Sequence, residues 1–223
     1  MLDWDFIDTV LLDMDGTLID QRFDNYFFDE LVPQLIATRE QRSIEAVRAE
    51  KIQLYEQYMG TLNFYCLDFW SQRLNLDLRR LKHQCTHLIQ IRAGVEVFLQ
   101  RLRSLKKRIL LVTNGHPYSM TLKLQYSGIG HYFDRCISVH DIGLPKENHD
   151  FWDKLQTKEP FTPARSVFID DNLQVLDAAK AHNIKYLFAI KKPDSQQAEK
   201  DTGDYYGLTH FAEVTPDVKQ SSA

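Results

Sequence analysis

Four short polar clusters hold the residue types that can do chemistry. The first, Asp13-Met-Asp15-Gly-Thr-Leu18, ends an apolar run that begins at Thr9. In an extended chain residues i and i+2 face the same way, so Asp13 and Asp15 project together while Met14 turns into packing. Two carboxylates at one strand end repel unless a cation or a proton sits with them. Such a pair supplies a nucleophilic carboxylate beside a carboxylic acid. Gly16 lets the backbone turn away at once. The second cluster, Thr113-Asn114-Gly115, follows Ile109–Val112, and a hydroxyl with the amides after it can donate to phosphate oxygens. The third, Gly143-Leu-Pro-Lys146-Glu-Asn148, places a lysine just before an expected helix. There the ammonium and the helix N-terminus can act together on an anion. The fourth, Asp170-Asp171-Asn172, ends the run Val167–Ile169. Adjacent carboxylates are costly to bury without a counter-charge, and a hard cation such as Mg²⁺ would supply it. Each cluster also has a plain reading. Asp-Gly and Thr-Asn-Gly are common turns, Lys146 can be a solvated surface lysine, and Asp170 or Asp171 can cap a helix starting near Leu173.

Five apolar runs have the length and the β-branched or aromatic content of buried strands: Thr9–Leu12, Ile109–Val112, Cys136–Val139, Val167–Ile169 and Tyr186–Ile190. None alternates cleanly with polar residues, which suits a parallel sheet covered on both faces. Helices are expected at Val95–Lys106, Tyr118–Tyr126, Asn148–Leu155 and Leu173–Ala181, giving the strand–helix rhythm of a doubly wound α/β domain. Three of the clusters lie at the C-terminal ends of strands, the edge where such sheets bind ligands. Between Leu12 and Ile109 lie almost a hundred residues, against about a dozen for an ordinary crossover. That stretch reads as helices over Phe27–Arg39, Ile44–Tyr58, Asn63–Leu74 and Leu78–Ile89, with Ser43 and Asp77 as N-caps. The expected organisation is a core of residues 1–20 and 92–223 interrupted by an all-helical subdomain, 21–91. The polar stretch after Lys191 is expected to wrap the core.

Composition narrows the function. The chain has 223 residues, 43% hydrophobic and 26% charged, which excludes disorder and fibrous repeats. No apolar run approaches the roughly 18 residues of a membrane helix. A net charge of −4 without a basic stretch argues against nucleic acid as the ligand, and no protein partner is implied. Three widely spaced cysteines without a CxxC pair, and an acidic start at Met1-Leu-Asp-Trp-Asp5, lead us to expect a cytoplasmic protein.

Taken together, Asp13-x-Asp15-Gly-Thr17, Thr113, Lys146 and Asp170-Asp171 resemble the haloacid dehalogenase superfamily of phosphohydrolases along the whole chain. The resemblance implies a Rossmann-like core and Mg²⁺-dependent phosphoryl transfer through an aspartyl-phosphate. It makes Asp13 the nucleophile and Asp15 the acid and base. Thr113, Asn114 and Lys146 become the phosphate grip. Asp13, the backbone carbonyl of Asp15 and Asp171 become metal ligands, with Asp170 behind them. Asp15 argues against the dehalogenase branch, which does not need that acid. The stretches Thr9–Leu18, Phe23–Phe27, Thr61–Asp68 and Phe168–Asp171 look like the superfamily's bacterial GMP/IMP 5′-nucleotidases, although Gly115 stands where alanine is expected.

The expected substrate is therefore a small phosphate monoester, a purine 5′-nucleotide, with a phosphorylated acid or sugar phosphatase, a phosphomutase, or a silent binding protein as alternatives. Asn25 and Tyr26 are the expected specificity residues. An Asn amide offers a donor and an acceptor to a 6-oxopurine, and an aromatic ring offers stacking. The aromatic cluster Phe64, Tyr65, Phe69, Trp70 reads mainly as packing, with one or two members facing the site. His83 and His87 have the i, i+4 spacing of a zinc pair but no third ligand, so they read as a solvated helix face. His116 reads as a turn residue that can reach substrate.

Overall fold

The computed structural model describes residues 2–217. Its frame is one parallel sheet of six strands: β1 (Thr9–Leu12), β2 (Arg108–Thr113), β3 (Arg135–Ser138), β4 (Ser166–Asp170), β5 (Tyr186–Ile190) and β6 (Tyr206–Leu208). Their order is β3-β2-β1-β4-β5-β6, an α/β, Rossmann-like doubly wound arrangement. The central strand explains the absence of alternation in the sequence. All four residues of β1 are buried, with Val10 and Leu12 in the cluster on one face and Leu11 in the cluster on the other. β6 was not expected. It is three residues long, carries Gly207 and an exposed Tyr206, and so lacks the apolar run by which a strand is read.

The residues between β1 and β2 form α1 (Arg22–Asn25), α2 (Val32–Glu40), α3 (Ile44–Glu56), α4 (Leu67–Leu74) and α5 (Leu78–His83). They pack around Phe23, Phe27, Leu67 and Trp70, a cluster separate from both sheet faces. Ser43 and Asp77 do cap α3 and α5, accepting from the amides of Ala46 at 3.2 Å and Arg80 at 3.0 Å. The helix expected from Phe27 starts earlier and is interrupted by a wider π-helical turn, Tyr26–Leu31, ahead of α2. Pro33 near the start of α2 has no N–H to give the preceding turn, and the chain relaxes there to an i→i−5 bond from Val32 to Phe27. The sheet is covered by α6 (Val95–Ser104) and α7 (Pro117–Ser127) on one face, and by α8 (His149–Lys158) and α9 (Leu173–Ala181) on the other. No described helix is long and apolar enough to cross a membrane.

Candidate active site

Strand order brings the clusters together. β1 lies between β2 and β4 in register, with Leu12 opposite both Leu111 and Ile169. Asp13, Thr113 and Asp170 thus emerge side by side at the C-terminal edge. Met14 is fully buried. Gly16 sits at φ +80°, where a Cβ would stand 2.9 Å from Pro193 Cβ and 3.0 Å from Asp171 Cγ. Only glycine fits so tight a turn between the two carboxylate pairs.

Lys146 is not a surface lysine. It is 2% exposed and turns inward rather than toward the start of α8, which Asn148 caps. Its ammonium donates to Asp13 Oδ1 at 2.5 Å, Asp170 Oδ2 at 2.7 Å and the Val112 carbonyl at 3.1 Å. The expectation that it acts with a helix N-terminus is therefore wrong. Buried carboxylates on either side are the stronger attractant. Asn114 braces the loop that carries it, accepting from Lys146 N at 2.9 Å and donating to Glu147 Oε2 at 2.9 Å. That spends one of the two Asn114 amide hydrogens on Glu147. Gly115 N–H donates to Thr113 Oγ1 at 2.9 Å, which frees the threonine's own hydrogen for the pocket.

Neither Asp170 nor Asp171 caps α9. Asn172 does so, accepting from Gln174 N at 2.9 Å. Asp170 is engaged at both oxygens, by Lys146 and by Asn172 N at 2.8 Å, whereas Asp171 meets Lys200 at 3.2 Å. Asp13 Oδ2 is buried without a partner. Burial pushes the Asp13 carboxyl up to about 6 against the pull of Lys146. It does the same at Asp170, also against Lys146, and at Asp171, where the nearby Asp13 adds to it. Asp15 is pushed up to about 6 by burial against the pull of Lys123. One oxygen from each of Asp13, Asp170 and Asp171 lies within 4.8 Å of the others, so hard donors surround a place short of positive charge. This set fits a divalent cation.

The carboxylates open into a cavity of about 360 Å³ whose far wall comes from the inserted helices: Asn25, Phe28, Asp29, Tyr55, Phe64, Tyr65 and Trp70 among others. Asn25 lines it, with one amide hydrogen donated to Asp194 Oδ2 at 2.7 Å, which leaves the other hydrogen and the carbonyl oxygen to meet a ligand. Tyr26 does not line it. One residue along a helix is a turn of about 100°, so the face carrying Asn25 continues at i+3 and i+4, in Phe28 and Asp29. Tyr26 packs instead under Arg22 at 5.4 Å and against the inserted core. Of the aromatic cluster, Phe64, Tyr65 and Trp70 reach the cavity and Phe69 does not. His116 lines it too, while capping α7 and standing 3.6 Å from Asp68. His83 bonds Tyr118 OH at 2.6 Å. The residue that sequence reasoning missed is Lys123, paired with Asp15. No signal in the sequence singled it out, because a lysine within a helix is ordinarily solvated.

A family model for the haloacid dehalogenase-like hydrolases matches residues 7–183. The chain belongs to that family, and it is a phosphoric monoester hydrolase. It is 36% identical over 219 residues to the GMP/IMP nucleotidase YrfG of Escherichia coli (strain K12), spanning 96% of this chain and 97% of that one. Among solved structures it resembles a HAD phosphatase from Thermococcus onnurineus, with a TM-score of 0.77 at 20% identity over 93% of this chain and 96% of that one. It also resembles CbbY of Rhodobacter sphaeroides, with a TM-score of 0.63 at 16% identity over 93% and 96%. At such identities these two show the shared fold.

Proposed function

We propose that the chain hydrolyses purine 5′-monophosphates such as GMP and IMP, with Mg²⁺ as cofactor, at a cytoplasmic location. The observation that carries this reading is the two-ended cavity: an unpartnered nucleophile oxygen at one end and an aromatic wall with an amide carbonyl at the other. The volume falls within the roughly 300–1,000 Å³ usual for small-molecule sites. Phe28, Phe64 or Trp70 offers stacking to a purine, and Asn25 Oδ1 accepts from the N1–H of a 6-oxopurine. The purine choice also rests on the likeness to the E. coli nucleotidase.

Asp13 Oδ2 attacks phosphorus while Lys146, at 2.5 Å from Oδ1, holds the carboxylate in place and balances its charge. Asp15 protonates the leaving oxygen and then takes a proton from the hydrolytic water. Thr113 donates to a phosphoryl oxygen. Asp13, the Asp15 carbonyl and Asp171 would hold the metal, and Asp170, spent on Lys146 and Asn172 N, would support it from behind. Bound there, Mg²⁺ supplies neutralisation of phosphoryl charge as it spreads in the transition state. Residues 21–91 act as the cap that closes over the leaving group and excludes water. Phosphate release across a panel of nucleotides, sugar phosphates and phosphoglycolate, with Mg²⁺, tests the reading. IMP and GMP should show the highest kcat/KM, and a phosphoglycolate or hexose-phosphate preference would refute the purine assignment.

A further inference from the structure

The acid–base carboxylate is the end of a buried chain of alternating charges that no phosphate grip requires. Lys123, on α7, is 1% exposed and pairs at once with Asp15 Oδ1 and with Asp24 Oδ2 on α1. The other oxygen of Asp24 accepts from Lys82 on α5 at 2.7 Å, and Lys82 is likewise 1% exposed. Lys82 is walled in by the rings of Phe23 at 4.7 Å, Phe27 at 4.8 Å and Phe28 at 5.1 Å. Two carboxylates and two ammoniums therefore alternate from an inserted helix to the core. Burying two ammoniums against two carboxylates that are themselves about four-fifths buried is costly, and hydrophobic replacements of equal volume often serve stability as well or better. Such a chain calls for a use beyond holding the fold.

We propose that Lys123, fixed by Asp24 and Lys82, is a positioning residue that holds the Asp15 carboxyl where it can deliver a proton to the leaving oxygen. The assignment rests on the acid role proposed above for Asp15. The geometry supports it in two ways. Lys123 pins Oδ1 alone, and Oδ2 lies over Gly115, where an added Cβ would already come within 3.3 Å. The carboxyl so held lines the cavity beside Asp13 with one oxygen anchored. The anchor also ties proton delivery to the seating of α1 and α5 on α7, because Asp24 and Lys82 belong to the inserted helices. Bond changes are those of the proposed hydrolysis: as the P–O bond to the alcohol breaks, the proton on Asp15 passes to that oxygen.

Leaving-group dependence separates positioning from mere structural support. An alkoxide leaving group needs the proton, and 4-nitrophenolate hardly does. Lys123→Met should lower kcat on the best alkyl monophosphate about 100-fold, within the span a general acid contributes, with KM little changed, and lower kcat on 4-nitrophenyl phosphate less than about fivefold. Lys123→Arg should recover part of the alkyl rate, and Asp24→Asn should show the same selectivity at smaller size. If Lys123→Met does not fold, the triple variant Lys123→Met/Asp24→Leu/Lys82→Met removes the anchor without orphaning a charge among the inserted helices, and the selective loss should persist in it. Equal losses on both substrates, in variants whose circular dichroism matches wild type, would overturn the positioning role. Asp15→Asn is the reference. If it shows no alkyl-selective loss, the acid role itself fails. If it does and Lys123→Met does not, only the positioning role fails.

Discussion

Replacing Lys146 with methionine tests the electrostatic core of the site. Its ammonium lies 2.5 Å from Asp13 and 2.7 Å from Asp170, and it is nine-tenths or more buried, as they are. Removing one partner of a buried ion pair costs about 3–5 kcal/mol, because a charge is left uncompensated. The pH dependence identifies the cause. Asp13 and Asp170 already titrate near about 6 when folded, raised by burial, against an unfolded value near 3.8. Without Lys146 they rise further. A carboxyl raised in the folded state adds stability below its unfolded pKa and loses it as pH climbs through the folded one. Near pH 4.5 both groups hold protons in the variant and the missing cation matters little. At pH 8 the full cost appears. For a chain of 223 residues, about 2–4 °C per kcal/mol translates this into a melting temperature roughly 6–20 °C below wild type at pH 8. Melting curves of both proteins by circular dichroism at pH 4.5, 6 and 8, with chelator present, measure it. A gap independent of pH, or none at pH 8, would refute the reasoning.

Two further expectations concern the metal and the base. Chelation should abolish activity and Mg²⁺ restore it, with Asp171→Ala raising the Mg²⁺ needed for half activity far more than Asp170→Ala in a metal titration; the reverse order would exchange their assignments. Phe28→Ala should cut the preference for IMP over ribose 5-phosphate by about tenfold or more, on the scale of one base–aromatic stack, while Tyr26→Ala leaves it unchanged. A larger effect at Tyr26 in paired kcat/KM measurements would contradict the cavity wall.

Local signals carried far in this chain where one residue type had one explanation. Buried parallel strands read as plain apolar runs: Thr9–Leu12 and Tyr186–Ile190 have the expected bounds, and the other three expected strands differ from the observed ones by one residue at each end. Carboxylate pairs at strand ends likewise announced a charged edge. Three features were not legible, each for a tertiary reason. Lys123 and Lys82 sit in helices where lysine is ordinarily solvated, and only their folded partners reveal the buried chain. Tyr26 and Phe28 are equally good stacking candidates in sequence, and the helical angle between them is set by where the π-helical turn begins. Lys146 was expected to point along the chain toward α8, whereas two carboxylates from other strands draw it inward.

The central claim is that Asp13 carries the phosphoryl group. Rapid quenching of Asp15→Asn after mixing with 4-nitrophenyl phosphate and Mg²⁺ should trap the adduct, since this leaving group departs without an acid while water lacks its base. Peptide mass spectrometry should then find one phosphoryl group on Asp13, accompanied by a stoichiometric burst of 4-nitrophenolate. A burst with the phosphoryl group on another residue, or steady turnover with Asp13 unmodified at every quench time, would contradict the account.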